Sequence, residues 1–174
     1  GETSPELLAI AGNTLTGFAI NSSVDLAHEE DGTVRVLGNA TEGGILKFLD
    51  PQGRGYRHIR DGTEPLERRE FSSSRKHMAT LVADDTGPIV HLKGAPEIVV
   101  GMCTKLSLDG DVDGPTEPLT DAKRTEIVDL VKSYAARGYR TLAVASGRTD
   151  PGVALGDADD TLTFLAFYVL ADPI

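Results

Sequence analysis

The chain has 174 residues, with 27 acidic side chains against 17 basic and a formal charge of −10 at pH 7. That balance argues against a general nucleic-acid or anionic-membrane surface. A composition of 40% hydrophobic and 25% charged residues is that of one globular domain, 1–174, able to bury a core.

In chain order, Ser4-Pro5-Glu6 is a helix start, with Ser4 as cap and Pro5 at the first helical position. Leu7, Leu8, Ala11, Leu15, Phe18 and Ala19 keep helical spacing to about residue 20. "NSSVDLAHEEDG" then reads as loop and "TVRVLG" as a short strand. "GNATEGGILKFLD" predicts a second helix, with Asn39 as cap and Glu42 reaching back as a capping box. "HMATLVAD" and "GPIVHLKG" predict two strands joined by a "DDTG" hairpin turn. "APEIVVGMC" predicts a short helix with Pro96 in its first turn. Thr120 and Asp121 open a long helix with Ile127, Leu130, Val131 and Tyr134 on one face, closed by Arg137-Gly138. "YRTLAVAS" and "LTFLAFYVLA" read as buried strands, the second about half the length of a membrane-spanning helix. Hairpin-connected strands with interspersed helices predict an α+β fold whose sheet is mainly antiparallel and flanked by helices. Cys103 is alone, which excludes an intrachain disulfide and fits a reducing compartment. Gly1 in place of an initiator methionine, no signal peptide, and the ending "ADPI" suggest a segment cut from something longer.

Several chemistries find no motif. There is no glycine loop followed by Lys and Ser/Thr, no GxGxxG, and no histidine pair at metal-ligand spacing. "LDGDVDGPTEPLT" imitates half of a calcium loop, but Thr120 stands where the bidentate glutamate belongs. The same stretch offers an alternative: a magnesium-dependent haloacid-dehalogenase-like phosphohydrolase, with Asp109 as nucleophile, Asp111 as acid/base and "GDADD" at 156–160 supplying metal ligands. The bland alternative is an acidic, turn-rich loop.

Charge is uneven. Between Arg54 and Lys76 the basic residues are Arg54, Arg57, Arg60, Arg68, Arg69, Arg75 and Lys76, against Asp61, Glu64, Glu67 and Glu70. The run reads either as a solvated strand face or as a local anion site on a repelling surface. Inside it, "FSSSRKHM" sets Phe71, a flat face for a purine, close to Lys76, a cation for a phosphate chain. Lys93 leaves a strand in "HLKGAPE", where Gly94 allows close backbone approach, and Arg140 begins another strand in "GYRTLAVAS". Together these residues could hold a nucleotide without a phosphate loop.

"GNATEGGILKFL", "FSSSRKHM", "KGAPEIVVGMC" and "GYRTLAVA", in this order and spacing, resemble the nucleotide-binding domain of P-type cation pumps. "FAINSS" and "VLADPI" extend the resemblance over nearly the whole chain, and the order is most similar to calcium pumps of the plasma-membrane type. The resemblance implies an ATP-binding cytoplasmic domain of a membrane pump. Glu42, with Thr41 beside it, would accept from the adenine amino group and Phe71 would stack on the ring. Lys93 would lie deep, Lys76 toward the phosphates, Gly94 and Ala95 would give room, and Met78 would form an apolar wall. Arg140 would meet the phosphates and Leu142 would pack at the pocket floor. Ser73 departs from the pattern, because some calcium pumps carry arginine there. The phosphorylated aspartate of a "DKTGT" motif is absent, so no catalytic residue is expected in this chain. Phosphorylation and actuator domains of a parent chain would be its partners, calcium the transported ion, ATP the ligand as Mg-ATP, and the fragment a monomer.

Overall fold

A computed structural model describes residues 14–51, 55–157 and 162–171. The first helix, α1, is described from residue 14 to 20, so the Ser4-Pro5 start lies outside the described residues. Strands β1 (Asp25–His28) and β2 (Val34–Leu37) pair antiparallel as a small ribbon. Helices α2 (Ala40–Leu49) and α3 (Gly55–Gly62) follow, then β3 (Pro65–Arg69), β4 (His77–Asp84) and β5 (Gly87–Gly94). The rest comprises α4 (Pro96–Met102), β6 (Lys105–Ser107), β7 (Thr116–Pro118), α5 (Asp121–Ala136), β8 (Arg140–Arg148) and β9 (Thr163–Leu170).

Seven strands form one sheet in the order β3-β4-β5-β8-β9-β6-β7. Only β6 with β9 runs parallel; the other neighbours are antiparallel, as the α+β reading expects. The period of two in strand side chains divides the core between the two faces. Ala79, Leu81, Val90, Leu92, Ala143 and Ala145 point to the face covered by α4 and α5, where Val99, Val100 and Cys103 meet them. Val144 and Leu165 point to the opposite face, against Phe18 of α1, Ile45 and Leu46 of α2 and Tyr56 of α3.

Local chemistry explains the element ends. The Asn39 side chain accepts from Thr41 N and Glu42 N and so caps α2, and the Thr120 hydroxyl accepts from Lys123 N to cap α5. Gly138, at φ 83°, ends the α5 turn in a backbone region that glycine enters without strain. The β4–β5 hairpin has Asp84 opposite Gly87, and its Asp84 carboxylate accepts from Thr86 N and Oγ1.

Four expectations need correction. Part of the expected loop is strand β1, held because Tyr56 Oη accepts from Leu26 N at 2.9 Å and bonds the Asp25 carboxylate. The basic run is a helix followed by an edge strand, because Tyr56 buries completely under β1 and draws residues 55–62 onto the core. On α5, Val128 packs inward and Leu130 faces water, since the inward stripe runs through Ile127, Val128 and Val131. Glu42 makes no capping box; its carboxylate turns to Ser22 and Lys93 instead.

The phosphohydrolase alternative needs Asp109 at the end of a central parallel strand. Here β6 has three residues and lies next to the sheet edge. The Asp109 carboxylate accepts from Ser107 Oγ at 3.1 Å and Asp111 N at 2.9 Å, the pattern of a tight acidic turn. Asp113 is bound to Arg148, which also grips Asp84 at 2.6 Å; this lowers the Asp113 carboxyl below its ordinary range, and at Asp84 the Arg148 and Thr86 hydrogen bonds together outweigh the upward push of burial. Residues 158–160 of "GDADD" lie outside the described residues.

Candidate functional site

The start of β4, the end of β5 and the start of β8 meet at one end of the sheet, because antiparallel pairing sets His77 opposite Gly94 and Gly94 opposite Ala143. Beside it, on the α1–α3 face, opens a cleft of about 650 Å³. That volume lies within the range of small-molecule sites. Its walls come from the end of α1 and the residues after it, the start of α2, Arg60 of α3, the β3 edge, Phe71, Met78 and Lys93.

Lys93 is the buried charge of the site, only 4% exposed. Its Nζ donates to Glu42 Oε1 and to Asn21 O, each at 2.5 Å, and lies 5.4 Å from the Phe18 ring centroid. Burial pushes the Lys93 pKa below its ordinary value, while the Glu42 carboxylate opposes that shift. Ser22 Oγ donates to the other Glu42 oxygen at 2.8 Å, so both oxygens are engaged and each keeps accepting capacity. Truncating either member of such a half-buried pair would strand a charge in low dielectric.

Asn21 bolts this wall to the sheet. Its Nδ2 donates to His91 O at 2.8 Å, its Oδ1 accepts from Thr80 Oγ1 at 2.6 Å, and its own carbonyl takes Lys93. Arg60 secures the same segment by donating to the carbonyls of Ala19, Ser22 and Val24 at 2.7, 2.6 and 2.8 Å. Its guanidinium lies 4.9 Å from the Tyr56 ring centroid. Below Asn21, His91 is fully buried with Nδ1 2.8 Å from Ser146 Oγ, and burial lowers its pKa to about 4.

Phe71 stands at the mouth with 60% of its surface exposed. The chain folds into a turn after it, closed by Lys76 N donating to Ser72 O at 2.7 Å. Lys76 itself takes φ 57°, an uncommon backbone for a lysine, and its carbonyl accepts from Ala95 N at 3.0 Å.

Of the sequence-derived residues, Glu42, Phe71, Met78 and Lys93 line this cleft. Thr41, Lys76, Gly94, Ala95, Arg140 and Leu142 stand around that end of the sheet but outside the lining. Arg140 Nη1 donates to Thr41 Oγ1 at 3.1 Å, which joins β8 to the start of α2. Leu142 packs into the core with Phe18 and Val144. The space Gly94 leaves is taken by the chain itself: a Cβ there would meet Lys76 O at 2.5 Å and His77 Cβ at 2.6 Å. The cleft also includes Asn21, Ser22, Arg60 and Arg68, none of which was singled out from the sequence as a binding residue. The signals were present as "NSS" directly after an apolar helix and as the basic run.

The residues present suit a nucleotide: an open aromatic face, a buried acceptor–cation pair, and basic groups on the walls. Among the described residues no cluster of His, Cys, Asp or Glu could hold a metal ion, and no helix is long and apolar enough to cross a membrane.

Comparison with known proteins agrees in extent with this geometry. A family model described as "P-type ATPase, cytoplasmic domain N" matches residues 13–174. A "Probable calcium-transporting ATPase 9, plasma membrane-type" of Oryza sativa subsp. japonica is 34% identical over 164 residues, covering 92% of this chain and 15% of the relative. "Calcium-transporting ATPase 4, plasma membrane-type" of Arabidopsis thaliana is 30% identical over 161 residues, 92% of this chain and 15% of the relative. "Calcium-transporting ATPase PAT1" of Dictyostelium discoideum is 29% identical over 160 residues, with shares of 91% and 14%. The chain thus spans about one-seventh of the length of the relatives it matches. With the fold, the cleft and a match over residues 13–174 in agreement, the chain belongs to the family of P-type ATPase cytoplasmic N domains.

Proposed function

We propose that this chain binds ATP in the Phe71 cleft and presents its terminal phosphate to the phosphorylation domain of an ATP-driven calcium pump. One observation carries the reading: an exposed aromatic ring at the mouth of a cleft lined by buried Lys93 and its half-buried partner Glu42. Adenine stacks on Phe71, and Glu42 accepts from its exocyclic amino group. Lys93 holds that carboxylate in place through the Nζ–Oε1 contact. Lys76 and Arg140, at the same end of the sheet, face the phosphates. Phosphoryl transfer depends mostly on positioning and charge stabilisation, and this chain supplies the positioning. Calcium as the transported ion belongs to the same proposal and is supported by the names of the relatives, calcium-transporting ATPases; the Mg-ATP form of the ligand and the phosphorylation and actuator partners complete it.

Residue-resolved NMR titration of the purified chain tests it. ATP and ADP should bind with similar, modest affinity, with or without magnesium, and shift the amides of Phe71, Glu42 and Lys93. GTP should bind more weakly, because its ring carries a carbonyl where adenine carries the amino group. Equal affinity for ATP and GTP would remove the adenine role of Glu42. Tight binding of inorganic triphosphate alone would remove base recognition.

A further inference from the structure

The basic side chains that line the cleft are not equivalent. Lys93 is neutralised by Glu42, and Arg60 uses Nε, Nη1 and Nη2 on three backbone carbonyls. Arg68, on edge strand β3, differs from both. Its side chain reaches the cleft, and Nη2 donates to Ile20 O at 3.2 Å. Among the described residues its Nε and Nη1 have no hydrogen-bond partner and it forms no ion pair. The backbone on which it sits is fixed by pairing with Thr80 of β4, whose hydroxyl is bonded to Asn21.

We propose that Arg68 is a ligand-binding residue of this cleft that meets a phosphoryl group common to ADP and ATP. A guanidinium tethered through one nitrogen keeps its fork oriented and leaves its remaining donors for a ligand, an arrangement suited to phosphate oxygens. Local charge favours this. The lining holds Arg60, Arg68 and Lys93 against Glu42 and Glu70, an excess of one positive charge in a chain of −10. Glu70 also lies on this wall and forms no ion pair among the described residues, so Arg68 offsets its repulsion of an arriving anion. Because β3 is an edge strand and Arg68 is exposed, replacing the side chain leaves the core untouched.

The inference rests on the nucleotide reading above, and the test separates the two. Adenosine, ADP and ATP are titrated into the parent chain, Arg68→Ala and Arg68→Lys, with amide spectra confirming the fold of each. Arg68→Ala should weaken ADP and ATP roughly tenfold or more and leave adenosine unchanged. Its ATP affinity should also fall less steeply with salt, and Arg68→Lys should restore part of both effects. Equal weakening of adenosine and ATP would make Arg68 part of the base pocket or the scaffold and overturn the inference. Parent binding left unchanged by Arg68→Ala overturns the inference alone. A parent chain that binds none of the three ligands overturns the nucleotide reading, and Arg68 with it.

Discussion

A phenylalanine left three-fifths open to water keeps apolar surface hydrated that the core does not recover. Phe71→Ala should therefore leave the melting temperature almost unchanged while removing the stack proposed for adenine. That stack is worth ~1–3 kcal/mol, or roughly five- to 150-fold in ATP affinity by calorimetry. Loss of folding instead would show that the ring supports structure. His91 gives the complementary case of a residue whose cost falls on stability. Its ring is buried and neutral, with a pKa of about 4 against 6.5 when free. Between those values the unfolded chain takes up a proton that the folded chain refuses, so stability should fall as pH drops from 6.5 toward 4. The total is on the order of 3 kcal/mol. Urea melts of the parent and His91→Gln across that window check it: the parent should lose more stability than the variant.

At the scale of elements, α2 carries Glu42 into place, and Gly43 lets it lie close to β2. A Cβ at that position would stand 2.0 Å from Val36 Cγ1 and 2.7 Å from Cγ2. Gly43→Ala should push the two elements apart and cost about 1–3 kcal/mol by chemical denaturation. It should also weaken ATP through the displaced carboxylate, and the double variant Gly43→Ala, Val36→Ala should recover part of both losses. Legibility in the sequence followed element type. The β4–β5 hairpin, the Asn39 and Thr120 caps, and Pro96 of α4 were readable because their signals are local. Strand β1 and helix α3 were not, since each exists through the Tyr56 contacts with Asp25 and Leu26, some thirty residues apart in sequence. Glu42 was misassigned as a cap partner for the same reason: Lys93, which claims it, is 51 residues away. Phe71 and Lys93, flagged in the sequence by residue type, both line the cleft. Asn21 and Arg60 stood in the "NSS" and basic-run signals, but the bonds that fix them reach distant backbone carbonyls and Thr80, so their part in the cleft shows only in three dimensions.

For the molecule as a whole, binding should occur without turnover. Asp109 is occupied in its turn by Ser107 and Asp111. Phosphate release from ATP by the purified chain should therefore stay at background, and Asp109→Asn should change neither release nor affinity. Steady hydrolysis abolished by that substitution would restore the phosphohydrolase reading.

The sheet separates two territories. Everything that lines the cleft comes from residues before 94, while α4 and α5 cover the opposite face. The outer surface of α5, where Leu130 already faces water, can therefore change its chemistry without the ligand sensing it. A fluorophore, an affinity handle or a graft for a new binding partner attached there would leave nucleotide affinity as it was, which makes that helix a natural mounting point for a biosensor built on this domain.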